Sequence, residues 1–143
     1  MDFLKELVYR YPLTEQRTPN EDLFRLDKRR FVLFWREPIE KQNIEPTLNA
    51  IESTLKSFDV QGGRSVVVVA KTTESFKKNE LVYFDSIRTL VVFYLIDEQE
   101  NRIYKNASWT SFWGMGYKKI VRRIDEVVTS LLLEKSSFND TND

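Results

Sequence analysis

The sequence contains neither cysteine nor histidine. Without cysteine the chain can form no disulfide, no thiolate nucleophile and no zinc–thiolate site. Without histidine it has no imidazole for general-base catalysis or metal ligation, so a Ser-His-Asp triad is excluded. These two absences remove a required group from most familiar hydrolase and metalloenzyme mechanisms.

Charge of one sign is not in excess, because 22 Lys and Arg residues balance 22 Asp and Glu residues. Non-specific binding to nucleic acid or to anionic membranes usually needs a surplus of basic residues. Basic side chains are modestly concentrated only at 25–36 and 118–123. A role with nucleic acid therefore requires these two clusters to meet in space.

Long hydrophobic runs are also missing, since no apolar segment approaches the ~18 residues that cross a bilayer. Charged residues interrupt the N-terminus where a signal peptide would have its apolar core. We therefore expect a cytoplasmic protein with no membrane partner, which the absence of disulfides also favours. The 41% of hydrophobic residues predicts one compact domain over 1–135, followed by a flexible tail over 136–143.

Apolar residues recur at helical spacing in three segments, which are 3–11, 46–58 and 117–134. A capping-box pattern at 18–21 predicts one further short helix that continues to Leu26. The last of the three long segments has the clearest periodicity, with charged residues on its other faces.

Strand patterns occupy much of the remaining chain. The runs 31–35, 65–70 and 89–96 are apolar on both alternating faces, which is typical of strands that are covered on both sides. Shorter strands are predicted at 81–84 and at 102–105, the latter as the second arm of a hairpin. The resulting order is α-(α)-β-α-β-β-β-β-α, and its first two long strands with the helix between them form a βαβ unit.

This order predicts an α/β (α+β) domain with a mixed sheet of about five strands packed by two main helices. The two helices can cover one face of the sheet, which leaves the N-terminal segment or a partner for the other face. An apolar sheet face is therefore one candidate for contact with another protein.

An aromatic segment before the last predicted helix is a second candidate for protein contact. Tryptophan and tyrosine are enriched among residues that dominate binding energy at protein interfaces. The predicted partner contacts are Trp109, Phe112, Trp113, Met115 and Tyr117. Two alternatives remain open, because Gly114 and Gly116 could shape a turn that closes the core or expose backbone N–H groups to a phosphate.

The basic clusters suggest a nucleic-acid or anion interface. Proteins that bind single strands combine positive charge with rings on which bases stack. The predicted contacts are Arg29, Arg30, Arg36, Lys118, Lys119 and Arg122. Strand alternation, however, assigns the rings of residues 31–35 to the core and leaves the arginines at the strand ends.

Carboxylates, lysine and tyrosine are the only general acids or bases that remain. Asp85 and Asp97 each end a predicted strand, but the acidic residues match neither a metal-dependent nuclease pattern nor a calcium loop. Turn and solvation roles account for these acids. We therefore predict no catalytic residue, no metal site and no cofactor.

The sequence thus favours a non-catalytic protein-binding domain, such as an adaptor, an inhibitor or immunity protein, or an assembly factor. Its expected partner is a protein, either a second copy in a homodimer or another subunit of a complex. Nucleic-acid binding through 25–36 and 118–123 is the alternative function. An enzyme that depends on carboxylates and lysine is the third.

Overall fold

A computed structural model describes residues 3–11, 16–17, 22–25, 30–56, 64–76, 89–105 and 116–141. Within these ranges the chain forms three α-helices and six strands, which are α1 (Phe3–Arg10), β1 (Gln16–Arg17), β2 (Leu23–Arg25), β3 (Arg30–Phe34), α2 (Ile44–Lys56), β4 (Arg64–Lys71), β5 (Thr89–Asp97), β6 (Arg102–Lys105) and α3 (Lys118–Thr141). A 3-10 turn, Lys41–Asn43, leads into α2. The predicted α/β (α+β) class with a mixed sheet is confirmed.

The strands form one sheet in which spatial order equals sequence order, β1-β2-β3-β4-β5-β6. β3, β4 and β5 are parallel neighbours, whereas the β1–β2, β2–β3 and β5–β6 pairs are antiparallel. α2 joins β3 to β4, with Arg30 opposite Ser65 and Phe34 opposite Val69. This is the predicted βαβ unit, and the predicted hairpin of β5 and β6 is also confirmed.

Helices of the same chain cover both faces of the sheet. On one face α1 and α3 pack against strand residues such as Val67 and Val92. On the other face Ile51 of α2 belongs to the cluster that contains Val68 and Phe93. The two clusters take alternate residues of each strand, because successive strand side chains point to opposite faces.

The distribution of helices corrects the expectation that the two main helices cover one sheet face and leave the other to the N-terminal segment or a partner, because the two main helices lie on opposite faces. The βαβ crossover determines the face on which α2 packs, whereas α1 and α3 lie near the two chain ends and cover the opposite face. The apolar residues at 31–34 of β3, 66–70 of β4 and 91–96 of β5 are all buried. The described part of the sheet therefore offers no exposed apolar face to another protein.

The prediction of a short helix that continues to Leu26 is wrong at residues 23–25, because these residues form the strand β2. Leu23 and Phe24 are both buried, and they belong to the clusters on opposite faces of the sheet. A helix places adjacent side chains about 100° apart and cannot bury them on opposite sides of one sheet. Pairing with residues 31–33 of β3 thus outweighs the local capping pattern. The strand predicted at 81–84 lies outside the described residues.

α3 is longer than its apolar periodicity predicts. It continues to Thr141, through residues that were predicted to form a tail. The sequence has no glycine or proline between Lys118 and Thr141, and adding residues to an existing helix costs little free energy. No described helix combines the length and the apolarity that crossing a membrane requires.

Charged contacts fasten α1 to α3. The guanidinium of Arg10 donates to both carboxylate oxygens of Glu134, at 2.8 and 3.0 Å. Arg123 donates to the carbonyl oxygens of Arg10 and Tyr11, at 2.8 and 3.4 Å. A cation near the last carbonyls of a helix is favourable for the helix dipole. Arg123 therefore has a structural role at the end of α1.

Candidate functional site

Tyr117 is buried at the start of α3 and has no exposed surface. Its hydroxyl lies 2.7 Å from the Ser65 hydroxyl, donates to the Ser65 carbonyl at 3.0 Å and accepts from the Phe31 N–H at 3.2 Å. The surface contact predicted for Tyr117 is therefore corrected. Its spacing of four and seven residues from Val121 and Ile124 already places it on the apolar face of the helix.

The other four residues predicted for the aromatic partner contact lie outside the described residues. They are Trp109, Phe112, Trp113 and Met115. Protein binding through this segment stays a prediction.

Arg30, at the start of β3, contacts the residue that leads into α3. Its Nη1 donates to the Gly116 carbonyl at 3.1 Å, and its guanidinium carbon lies 5.9 Å from the centroid of the Tyr117 ring. Gly116 has a φ of 88°, and a Cβ at this position would lie 2.5 Å from Arg30 Nη1. Glycine therefore permits both the backbone conformation and the close approach of the arginine.

Three further cations follow Gly116 within two turns of helix. Lys118, Lys119 and Arg122 are exposed, and residues three or four apart are neighbours on a helix surface. Within the described ranges, no carboxylate forms an ion pair with any of these three side chains. We call these three residues together with Arg30 the basic end.

The basic end is costly for α3 itself. The first turn of the helix contains no acidic residue, and cations there oppose the helix dipole by ~0.3–1 kcal/mol each. Lys118 and Arg122 also repel each other at a spacing of four residues, by about 0.2–0.5 kcal/mol. An anion bound at this end would reduce both the unfavourable interaction with the helix dipole and the repulsion between Lys118 and Arg122.

Arg36 does not join the basic end, although it belongs to the same basic cluster of the sequence as Arg30, at 25–36. It lies past the opposite end of β3, roughly 20 Å along an extended chain from Arg30. Its guanidinium donates to both oxygens of the Asp22 carboxylate, at 3.1 and 2.7 Å. The two basic clusters thus converge in part, and Arg29 lies outside the described residues.

A cleft of 280 Å³ lies at the other end of the sheet, next to the carboxyl ends of β4 and β5. This is the end at which open α/β sheets commonly bind ligands. Two lysines from distant segments, Lys71 of β4 and Lys135 of α3, share the Glu98 carboxylate in its wall. Each ammonium lies 2.9 Å from a different oxygen of that carboxylate.

Glu98 is ionised in this arrangement. Burial by itself would raise the pKa of Glu98, but hydrogen bonds from Lys135 and Lys71 outweigh burial and hold the pKa below its ordinary value. Neighbouring Asp97 is buried and accepts N–H bonds from Gln99 and Glu100, each at 3.2 Å. Asp97 therefore has a turn role between β5 and β6.

Catalysis by this chain would need a metal site or a general base. Among the described residues, no group of three acidic side chains is arranged to hold a metal ion. Tyr94 is buried, its hydroxyl donates to Asp125, and burial raises the pKa of Tyr94 well above its ordinary value. Tyr94 thus stays protonated near neutral pH and is unsuited to act as a base. Asp85 lies outside the described residues.

We expect the free energy of unfolding to decrease on acidification through the folded-state pKa of Glu98. Because the pKa of Glu98 is lower in the folded state than in the unfolded state, the unfolded state binds more protons as the pH falls. The stabilisation from the ionised carboxylate is therefore complete above the ordinary carboxyl pKa and is lost as the pH falls through the folded-state pKa. Glu98→Gln should lower the free energy of unfolding by about 1 kcal/mol at neutral pH. It should also flatten the acid limb of the plot of this free energy against pH, which is the part below the ordinary carboxyl pKa. Urea denaturation as a function of pH measures both effects.

The matched control for this prediction is Glu100→Gln, which alters an exposed carboxylate in the same turn. It should keep the acid limb of the wild-type protein. An unchanged acid limb in Glu98→Gln would show that the bridge to Lys71 and Lys135 contributes nothing to the pH dependence.

Comparison with known proteins gives no match to a family model, to a curated protein or to a solved structure. The basic end and the cleft are therefore the features from which we infer a function.

Proposed function

We propose that this domain binds nucleic acid through the basic end, which consists of Arg30, Lys118, Lys119 and Arg122. The observation that carries the proposal is the hydrogen bond from Arg30 to the Gly116 carbonyl. This bond holds Arg30, from the first basic cluster, next to the residue that lies two positions before the second cluster at 118–123. Convergence of the two clusters is what nucleic-acid binding by this chain requires, and this contact supports it.

The basic end has the chemistry that a phosphate backbone needs. Lysine ammoniums act as point charges, and an arginine guanidinium presents a planar set of donors to phosphate oxygens. Lys118, Lys119 and Arg122 project from a helix and Arg30 begins a strand, so all four cations are held by regular structure. The formal net charge is zero, and binding therefore depends on this local patch rather than on the whole molecule.

The arrangement of the described residues supports this function more than the protein binding that the sequence favours. The sheet faces are covered by the chain's own helices, and Tyr117 is buried. These two features weaken the argument for a protein partner, whose remaining support is the aromatic segment at 109–115.

The proposal is tested by the salt dependence of oligonucleotide binding. Labelled single-stranded and double-stranded oligonucleotides are titrated with the full chain, and fluorescence anisotropy gives the binding constant at several salt concentrations. Four phosphate contacts predict a slope of about −3 for single strands and about −4 for duplexes in the plot of log K against log salt concentration. Absence of binding at low salt, or a flat slope, would contradict the proposal.

Polyglutamate serves as the competitor that separates nucleic acid from an acidic protein partner. Nucleic-acid binding predicts that polyglutamate of equal charge displaces the oligonucleotide poorly. Equal displacement would instead favour an acidic protein as the ligand and overturn the assignment to nucleic acid.

A further inference from the structure

We propose that the cleft beside β4 and β5 binds the carboxylate or phosphate group of a small molecule, which replaces Glu98 between Lys71 and Lys135. This inference goes beyond nucleic-acid binding, because the cleft lies at the opposite end of the sheet from the basic end. The ligand class follows from the pair of ammonium groups, which already hold one oxyanion of the chain itself.

The two ammonium groups are accessible and correctly spaced for an oxyanion. The side chains of Lys71 and Lys135 are 34% and 31% exposed, whereas that of Glu98 is 17% exposed. Both contacts to Glu98 are 2.9 Å long and reach its two different oxygens. A ligand carboxylate or phosphate at the same place can accept the same two hydrogen bonds.

Glu98 can leave this position without opening the turn that carries it. The turn is closed by the Asp97 carboxylate, which accepts from the N–H groups of Gln99 and Glu100. The described contacts of the Glu98 carboxylate are those to the two lysines. The Glu98 side chain can therefore rotate towards solvent while the backbone of the turn stays in place. The oxyanion of a ligand then takes the position of the Glu98 carboxylate between the two lysines.

The rest of the cleft suits a small molecule. Its volume of 280 Å³ is near the lower end of ligand pockets, which measure about 300–1,000 Å³. Pro38 and Ile96 provide apolar wall, and Gln99 provides a polar side chain. Thr72 and Thr73 also line the cleft, and their hydroxyls donate to the Glu40 carboxylate at 3.5 and 3.0 Å. This combination is typical of small-molecule sites, in which a few polar groups orient a ligand against apolar surface.

The test is a titration of the ¹⁵N-labelled full chain with inorganic phosphate and, separately, with acetate, followed by amide chemical shifts. The inference predicts shifts at Thr72, Thr73 and Gln99. Glu98→Gln should bind phosphate or acetate about tenfold more tightly than wild type because the internal competitor loses its charge, whereas Lys135→Met should bind at least about tenfold more weakly. A preference for phosphate or for acetate identifies the group that the site accepts.

Two results would overturn the inference. One is a Glu98→Gln variant, with an otherwise unchanged spectrum, that binds neither probe more tightly than wild type. The other is a set of shifts confined to the basic end. The variant Lys118→Ala/Lys119→Ala removes phosphate binding at the basic end and should leave the shifts in the cleft unchanged, so this inference and nucleic-acid binding can fail independently.

Discussion

Reversing two charges of the basic end, in the variant Lys118→Glu/Arg122→Glu, is expected to weaken oligonucleotide binding roughly 100-fold at low salt. Each lost phosphate contact should also reduce the salt slope by about 1. The effect should be similar for different base sequences, because phosphate contacts carry no sequence information. Anisotropy titrations of the variant and the wild-type protein measure all three effects.

The same variant should not be less stable than the wild-type protein. Glutamate in the first turn of α3 is favourable for the helix dipole, whereas lysine there is not, and the change is worth ~0.3–1 kcal/mol. We therefore expect weaker binding together with equal or higher resistance to urea. Loss of binding that accompanies loss of stability would point to misfolding and would not support the proposal.

Lys41→Glu is the matched control for the single variant Lys118→Glu. Lys41 lies in the 3-10 turn after β3, at the opposite end of the sheet, and its reversal changes the net charge by the same amount. Lys118→Glu should weaken binding about tenfold, and Lys41→Glu should leave it nearly unchanged. Equal effects would indicate that the total charge of the protein matters, and would contradict a localised interface.

Replacing Tyr117 is expected to give the largest loss of stability among the variants considered. Tyr117→Phe removes a hydroxyl that is hydrogen-bonded to the Ser65 hydroxyl, the Ser65 carbonyl and the Phe31 N–H. Leaving such buried groups without a partner costs about 1–3 kcal/mol. Tyr117→Ala also leaves a cavity in the core and should cost about 3–5 kcal/mol. Urea denaturation measures both values.

Tyr9 provides the control, because its side chain is 81% exposed on α1. Tyr9→Phe and Tyr9→Ala should each change the free energy of unfolding by less than about 0.5 kcal/mol. A Tyr117→Phe variant with wild-type stability but impaired binding to a protein partner would instead support the surface role that the sequence suggested for Tyr117.

The elements with strong local periodicity could be predicted closely from the sequence. The helix predicted at 46–58 is found at Ile44–Lys56, and the strand predicted at 31–35 is found at Arg30–Phe34. In both cases the element buries one or two of its faces, so apolar residues recur in the sequence with the period of the helix or strand. β2 could not be predicted in this way, because its conformation depends on pairing with β3.

The two candidate sites depend on contacts that local patterns do not encode. Arg30 and Arg36 belong to one basic cluster in the sequence, but the length of β3 separates them. Lys71, Glu98 and Lys135 carry no recognisable motif, and they meet because two parallel strands end side by side and α3 runs to the same end of the sheet. Lys71 could have been suggested by its position at the end of the strand predicted at 65–70, whereas no sequence pattern pointed to Lys135.

The sequence by itself determined which chemistry is absent, through the lack of cysteine and histidine, and which segments form the main helices and strands. Both follow from residue type and from short-range backbone geometry. Only the tertiary structure decided that the sheet is covered on both faces, that Arg30 joins the cations of α3, and that two lysines share Glu98. The physical reason is that strand register and the face on which each helix packs bring together residues far apart in sequence.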